Sequence, residues 1–317
     1  MNFVFVFKII LYYVKMLKIG TDCSGIEAPI QALLQLNIPF IHVFSSEIDK
    51  YCIQSIKANY DPEIIFGDKD GPFPEGDITK RNIKDVPDID FYVCGFPCQP
   101  FSSAGKQIGL KDKRGNVFFS CMEVIEKKQP KYFILENVKN LKSHDGGKTW
   151  EIILKSLTSL EKYGYNINWK ILNTKDYGIP QNRERIFIVG TKTIFEWPEK
   201  KEVGDLKSYI DFSDTSIYES KTVKKYESKI NKNSIFINLC FIKYTSFPKS
   251  DRICPCLDTR SSIYCIPMSR YANMKEKLKL QGFDTNFKQV VSDTQMKKQI
   301  GNSMSVNVLK CIIGEIL

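Results

Sequence analysis

Histidine is nearly absent from this chain, because only His42 and His144 occur among its 317 residues. This scarcity argues against a histidine-based metal site. Ten cysteines are present, but they have no regular spacing, and Cys254 and Cys256 have no second pair at metal-ligand spacing. We expect neither a disulfide framework nor a bound metal, and we expect the protein to be intracellular and reduced.

A long apolar run is also lacking. The first residues, MNFVFVFKIILYYV, are apolar but too short to cross a bilayer, and Lys8 interrupts them. They have no basic first segment and no small-residue cleavage site, so we expect neither secretion nor a membrane partner. Met16 directly precedes the strand-like LKIGTDCSG. We expect the domain to begin there, with residues 1–15 as an upstream translation artefact or an extra hydrophobic segment.

The glycine fingerprint G-x-G-x-x-G is missing too, which argues against a nicotinamide dehydrogenase. In its place DCSGIEA begins at Asp22 after the first strand, Glu47 ends the second strand, and GDIT follows at residues 76–79. In α/β folds a small-residue turn lets a ligand approach the backbone, and an acid at the next strand end accepts from ribose hydroxyls. The pattern favours an adenosine cofactor over a dinucleotide.

The charge is unbalanced, with a formal net charge of +10. This excess of positive charge favours an anionic partner, of which nucleic acid is the commonest. A proteome that is generally rich in lysine would give the same excess.

Strand-like and helix-like segments alternate over residues 16–190, which predicts an α/β domain with a mostly parallel sheet and helices on both faces. Residues 191–250 are polar, lysine-rich and irregular, with interleaved tyrosine and phenylalanine. They form either a solvated insertion or a nucleic-acid contact surface. Residues 251–317 contain a glycine-asparagine turn and an apolar helix, and we expect them to return to the first domain.

A thiol stands in an unusual place within VCGFPCQPFSSAG. Cys98 lies between Pro97 and Pro100, just after a short apolar strand. The prolines prevent both continued strand and immediate helix, so Cys98 lies on a stiff loop at the carboxyl end of that strand. Ligands bind at this edge of an open α/β sheet, which makes Cys98 a candidate nucleophile.

Two later segments add polar groups at strand ends. Glu136 and Asn137 end the apolar strand in FILENVKNL. In QNRER, Arg183 and Arg185 are two residues apart and share one face of an extended chain.

Together these motifs resemble the DNA (cytosine-5) methyltransferase family. DCSGIEA, Glu47 with GDI, GFPCQPFS, ENV and QNRER match its motifs in the family's order. CLDTRSS resembles a later motif weakly, and QIGNSMSVNV resembles the last one well. The resemblance runs from about Leu17 to the C-terminus, apart from the variable region.

The resemblance implies a Rossmann-like S-adenosylmethionine-dependent methyltransferase fold, in which residues 191–250 form a small target-recognition domain. It also implies S-adenosylmethionine as methyl donor, double-stranded DNA as substrate and no metal; we expect a monomer. The implied catalytic residues are Cys98, Glu136, Arg183 and Arg185. The implied cofactor-binding residues are Asp22, Cys23, Ser24, Gly25, Ile26, Glu47, Ile48, Asp77, Ile78, Pro97, Asn302 and Ser303.

Two departures concern the cofactor. The family usually has phenylalanine where Cys23 stands, and Gly-Gly where Glu27 and Ala28 stand. Ile48 is then a candidate to pack on the adenine.

Two alternatives stay open. The family's tRNA-modifying branch has a motif that CFIKY, residues 240–244, matches loosely, but Ile242 replaces its threonine and GFPCQPFS is the DNA-type loop. The chain could also be an inactive DNA-binding relic, against which the intact Cys98, Glu136, Arg185 and Asn302 argue.

Overall fold

The main sheet of this protein has seven strands among the residues that the computed structural model describes, which are 16–97, 117–231, 233–240 and 252–317. Their spatial order is β3-β2-β1-β4-β5-β7-β6. The strands are β1 (Leu17–Asp22), β2 (Phe40–Ser46), β3 (Ile64–Phe66), β4 (Phe91–Cys94), β5 (Tyr132–Val138), β6 (Asn166–Asn173) and β7 (Glu184–Thr191). Neighbours are parallel except β7, which is antiparallel to both β5 and β6.

Most of the described helices flank this sheet. The helices in the described residues are α1 (Ala28–Gln35), α2 (Lys50–Asn59), α3 (Val117–Lys128), α4 (Lys148–Thr158), α5 (Lys221–Lys225), α6 (Met274–Gln281), α7 (Asp293–Asn302) and α8 (Val306–Ile316). The helical path after α4 continues as a 3₁₀ turn and ends at Gly164, whose φ of 82° is left-handed.

Both faces of the sheet are buried, as alternation along β4 shows. Phe91 and Val93 belong to one apolar cluster, which includes α1 and α8, whereas Tyr92 and Cys94 belong to another, which includes α3 and α4. Successive residues of a strand point to opposite faces, so one short apolar run serves two cores. The predicted α/β architecture, a mostly parallel sheet with helices on both faces, is confirmed.

A smaller antiparallel sheet has the order β10-β9-β8. Its strands are β8 (Phe236–Asn238), β9 (Ile263–Cys265) and β10 (Arg270–Tyr271). The expected domain boundary at residue 250 therefore runs through this sheet, because β8 precedes it and β9 and β10 follow it. Phe236 and Ile263 belong to the same apolar cluster as Phe91 of the main sheet, so the two sheets share a core.

None of the helices in the described ranges has the length and the apolar character that crossing a bilayer requires.

Close packing at one glycine gives a stability prediction. Gly190 of β7 pairs with Phe133 of β5, and a Cβ added there would lie 2.1 Å from the Phe133 ring. We expect Gly190→Ala to lower the free energy of unfolding by about 1–3 kcal/mol, because the ring must leave its rotamer. Gly314 in α8 is the matched control, since an added Cβ meets nothing within 4 Å. Gly314→Ala should stabilise by about 0.5–1 kcal/mol in urea titrations; equal effects at both positions would contradict this account.

Candidate active site

Polar side chains converge where β1, β2, β4 and β5 end, because parallel strands place their carboxyl ends at one edge. β7 runs the other way, so its first residues lie at the same edge, with Arg185 opposite Val138. The sheet thus brings together three sequence-distant regions that were predicted to form one site: the turn after β1, the end of β5 and the start of β7.

The turn after β1 is bound tightly to the end of β2. Ser24 N–H donates to the Ser46 carbonyl at 3.1 Å, and the Ser24 hydroxyl accepts from Ser46 N–H at 2.9 Å. Gly25 has a left-handed φ of 57°, and a Cβ added to it would meet nothing within 4 Å. The backbone is therefore open to a ligand at Gly25, as a cofactor turn requires.

Glu47 lies at the end of β2, and its carboxylate faces backbone donors. Oε2 accepts from Gly25 N–H at 2.8 Å, and Oε1 accepts from Ile48 N–H at 2.8 Å and Asp49 N–H at 3.0 Å. Burial raises the pKa of Glu47, and these hydrogen bonds reduce that rise. The predicted ribose acceptor is thus held in a fixed orientation beside the turn.

Two further predicted cofactor-binding residues, Ile48 and Asp77, lie near Glu47: Ile48 follows it directly, and Asp77 follows Gly76, which lies against the Glu47 carbonyl. The Ile48 side chain is 75% exposed, which leaves an apolar surface beside the turn. Asp77 Oδ1 accepts from the backbone and the hydroxyl of Thr79, and Lys80 Nζ lies 3.2 Å from Oδ2. Burial acts to raise the pKa of Asp77, but the hydrogen bonds from Thr79 and Lys80 outweigh it and the pKa is lowered.

Cys23 stands where the family usually has phenylalanine, and its thiol does not offer a ligand the surface of an aromatic ring. It is partly buried, packs against the cluster that contains Cys94, and forms a side-chain hydrogen bond with Cys94. That hydrogen bond lowers the pKa of Cys23, but burial and neighbouring groups outweigh it, so the pKa is raised. A neutral thiol turned towards Cys94 leaves Ile48 as the better-placed apolar contact for an adenine.

Asp22 is occupied within the protein. Arg81 donates to its two oxygens at 2.8 and 2.9 Å, and the Tyr92 hydroxyl donates at 2.7 Å. The Arg81 guanidinium also lies 4.6 Å from the Phe66 ring centroid. Asp22 therefore ties β1 to the segment after Asp77, and its carboxylate is not turned to a ligand.

The side chains of Ile26 and Ile78 are also buried, at 1% and 8% exposure. Any contact of these two residues with a cofactor is left to their backbone atoms.

The exit from β4 is anchored just before the candidate nucleophile. Phe96 is buried against Phe118, and its carbonyl accepts from the Asn137 side chain at 2.6 Å. Pro97 is exposed. Cys98 lies outside the described residues; the anchored carbonyl is two positions before it.

Glu136 is a buried acid at this edge of the sheet. It is 7% exposed, and Arg185 Nε lies 3.3 Å from Oε1. The geometry is not that of a hydrogen bond, and within the described part of the chain Oε1 has no hydrogen-bond partner. Burial raises the pKa of Glu136, and the nearby Arg185 and Arg183 reduce the rise. An acid with a raised pKa and a free oxygen can donate a proton or a hydrogen bond to a bound group.

Arg183 has a different environment from Arg185. It is 1% exposed, and its terminal nitrogens donate to the carbonyls of Leu257, Gly301 and Ser303 at 2.7, 3.2 and 2.6 Å. Burial lowers its pKa to about 10. The structure thus brings Arg185 to Glu136, while Arg183 joins β7 to the C-terminal part of the chain.

The last motif lies where α7 ends. Asn302 is exposed there, whereas Ser303 is buried and its carbonyl accepts from Arg183 and from the Gln281 side chain at 2.9 Å. Asn302 is thus free to reach a ligand, and Ser303 serves the packing beneath it.

A profile of the C-5 cytosine-specific DNA methylase family matches residues 21–253 and 268–317. The chain belongs to this family. It is a cytosine-C5 DNA methyltransferase on the expected Rossmann-like methyltransferase fold.

Curated relatives agree with the family assignment. The type II methyltransferase M1.ScrFI of Lactococcus lactis subsp. cremoris is 40% identical over 298 residues, covering 87% of this chain and 72% of its own. The type II methyltransferase M.NgoBI of Neisseria gonorrhoeae is 39% identical, covering 85% and 84%.

Among solved structures, the S. pombe Dnmt2 methyltransferase aligns with a TM-score of 0.69. It covers 94% of this chain and 97% of its own at 20% identity, so it supports the fold alone.

Several structural residues of this methyltransferase escaped sequence reasoning. Arg81 pairs with Asp22, which lies 59 residues earlier in the chain. Gln181 is fully buried; its side chain donates to the Leu280 carbonyl at 2.8 Å and accepts from Leu257 N–H. Neither has a local pattern that reveals its partner. Asn137 is part of the ENV motif, but its bond to the Phe96 carbonyl needs the strand pairing to be known.

Metal ligands do not gather in the ranges that the structure describes: no group of three or more His, Cys, Asp or Glu side chains there could hold an ion.

The pairing of Asp22 with Arg81 predicts a stability effect. Arg81→Met should lower the free energy of unfolding by about 3–5 kcal/mol, because it leaves a buried carboxylate without its cation. The double variant Asp22→Leu, Arg81→Met leaves no buried charge and should recover much of this loss in urea titrations. A double variant as unstable as Arg81→Met would show that the ion pair is not the cause.

Proposed function

We propose that this methyltransferase transfers a methyl group from S-adenosylmethionine to C5 of a flipped-out cytosine in a short duplex DNA sequence, through a covalent adduct between Cys98 and C6. The observation that carries the proposal is the buried Glu136, which has a raised pKa and lies beside Arg185. Its Oε1 has no hydrogen-bond partner among the residues that the structure describes, and its strand is next to the one that leads into Cys98.

The residues at the edge of the sheet fit this cofactor. Gly25 leaves backbone open, Glu47 would accept the ribose hydroxyls, and the exposed Ile48 would pack on the adenine. Asp77 would accept from the adenine amino group, and the exposed Asn302 would contact the amino-acid end. When bound, the cofactor supplies an electrophilic methyl carbon on a sulfonium.

The chain's own residues activate the cytosine. A thiolate of Cys98 adds to C6, which turns the ring into an enamine-like nucleophile at C5. The addition places electron density on N3, where protonated Glu136 donates a hydrogen bond. Arg185 lies beside Glu136 and would hold the O2 side, offsetting the developing charge. After transfer a base, for which we propose water, removes the C5 proton and Cys98 departs.

Arg183 supports this step indirectly in our proposal. Its hydrogen bonds to backbone carbonyls hold the start of β7, from which Arg185 extends. We therefore assign it a positioning role in place of the catalytic role that the resemblance implies.

DNA access follows from the same chemistry. A cytosine inside a duplex cannot reach Cys98, so the base must be flipped out. The glycines and basic residues of SSAGKQIGLKDKRGN, residues 102–116, suit a loop that closes behind it and grips phosphate. This loop lies outside the described residues.

The small second domain would read the DNA sequence. Residues 191 to about 250, together with the β9 and β10 strands that complete the small sheet, offer base contacts that the motifs of the main domain do not. Each well-made base contact discriminates by about 1–3 kcal/mol, so an insert of this size suits a site of about 2–5 base pairs.

Several features support DNA over tRNA as the substrate. The DNA methylase profile matches most of the chain, and the relatives described above are named type II methyltransferases. We therefore propose that the protein acts in restriction-modification. We further propose, as the sequence leads us to expect, that it is an intracellular monomer that needs no metal. The CFIKY segment that suggests the tRNA branch lies almost entirely outside the described residues.

Bisulfite sequencing of DNA from cells that express the chain should reveal new 5-methylcytosines within one short consensus. Cys98→Ser should abolish them, because a hydroxyl is a far weaker nucleophile than a thiolate. It should still bind S-adenosylhomocysteine, which serves as the control for folding. Unmethylated DNA beside a modified tRNA cytosine, or substantial turnover by Cys98→Ser, would overturn the proposal.

The raised pKa of Glu136 predicts a pH dependence. The protonated form persists to higher pH than in an ordinary glutamate, and activity should fall as pH rises through this pKa. Glu136→Gln cannot release a proton, so its residual rate should lack this fall, at a rate lower by roughly 10²–10⁴-fold. Single-turnover rates of both proteins across pH would test this; an identical basic limb in the variant would remove Glu136 from the role.

A further inference from the structure

We propose that Glu27 is a positioning residue that fixes Glu47 for the ribose of the methyl donor. The inference rests on the proposed cofactor site. Glu27 is fully buried.

The backbone at Glu27 is unfavourable for a residue with a side chain. Its φ is 60° and its ψ is 48°, and Cys23, four residues earlier, has a φ of 50°. Left-handed backbone is disfavoured for residues with a Cβ, and glycine would adopt it without strain. Such a conformation persists when contacts offset its cost, and the Glu27 side chain makes contacts that glycine could not make.

The side chain of Glu27 supplies a buried acceptor between two strands. Its Oε1 accepts from the Thr21 hydroxyl of β1 and the Ser45 hydroxyl of β2, both at 2.6 Å. His42 Nε2 lies 3.0 Å from the Ser45 hydroxyl and 3.5 Å from the same Oε1. One carboxylate therefore links the strand ends that carry the two halves of the proposed cofactor site.

The link continues to Glu47 through the turn. The Thr21 hydroxyl lies 2.7 Å from the Ser24 hydroxyl, which accepts from Ser46 N–H. The next residue after Ser24 is Gly25, whose N–H donates to Glu47 Oε2. Loss of the Glu27 acceptor should loosen the turn and therefore the orientation of the Glu47 carboxylate.

Calorimetry of S-adenosylhomocysteine binding, with the 2′-deoxy analogue for comparison, tests the inference. We expect Glu27→Gly to weaken binding of the parent compound about tenfold, or about 1.4 kcal/mol, and to reduce its preference over the 2′-deoxy analogue. Glu27→Gln keeps an oxygen acceptor and should restore binding to within about threefold of wild type. At saturating donor, kcat should change little while KM rises.

A double-mutant cycle separates positioning from general loosening. In a Glu47→Ala background, Glu27→Gly should cost little further affinity, because the residue through which it acts is gone.

Ser45→Ala removes one donor while Glu27 stays, and should give a smaller loss of the same kind. This variant keeps the test open should Glu27→Gly fail to fold. Asn37→Gly is the matched control, since Asn37 has a φ of 54° but is exposed, away from the strand ends.

The outcomes are distinct. Suppose that the wild-type protein prefers the ribose compound but that Glu27→Gly and Ser45→Ala bind it as tightly as wild type does. This result overturns the inference about Glu27 and leaves the proposed cofactor site standing. Additive losses of affinity in the cycle also overturn the inference, because they mean that Glu27 does not act through Glu47. Wild-type protein that binds no S-adenosylhomocysteine overturns the proposed cofactor site itself.

Discussion

The reversed direction of β7 is the constraint on which the site depends. β5 delivers Glu136 to the edge of the sheet at its carboxyl end, and a parallel neighbour would bring its own carboxyl end there. Because β7 is antiparallel, its amino end lies at this edge, and Arg185 falls opposite Val138, one residue from Asn137. The close approach of Arg185 to Glu136, which are 49 positions apart in the chain, is thus a product of sheet topology. The anchoring of the Phe96 carbonyl by Asn137 uses the adjacent β4–β5 pairing in the same way.

Buried polar groups then join the later segments to this sheet. Arg183 and Gln181 both reach the backbone near Leu257, and Arg183 continues to Gly301 and Ser303. These bonds satisfy carbonyl and amide groups that irregular segments would otherwise leave unpaired inside the protein. The conformation of the C-terminal motif around Ser303 is therefore coupled to that of the start of β7.

Much of the fold was predictable, because β4, β5 and the helices have local patterns that depend on burial alone. The candidate acid and Arg185 were predictable as well, since strand ends meet at one edge. The roles of Asp22 and Arg183 were not: the sequence places both beside functional motifs, but each is bound by protein groups far along the chain. The expected boundary at residue 250 also gives no hint that β8 pairs with β9 beyond it, because strand pairing across a polar segment leaves no periodic pattern.

The core shared by the two sheets limits how target choice can diverge. Phe236 and Ile263 of the small sheet pack in the same cluster as residues of the main sheet. If the whole recognition segment were exchanged between relatives, these buried side chains would have to pack against the core of another protein. Overpacking or cavities there would lower the free energy of unfolding. Because β8 and β9 are buried throughout, new specificities should arise more readily by substitutions in the exposed segments that flank the small sheet than by replacement of the segment as a module.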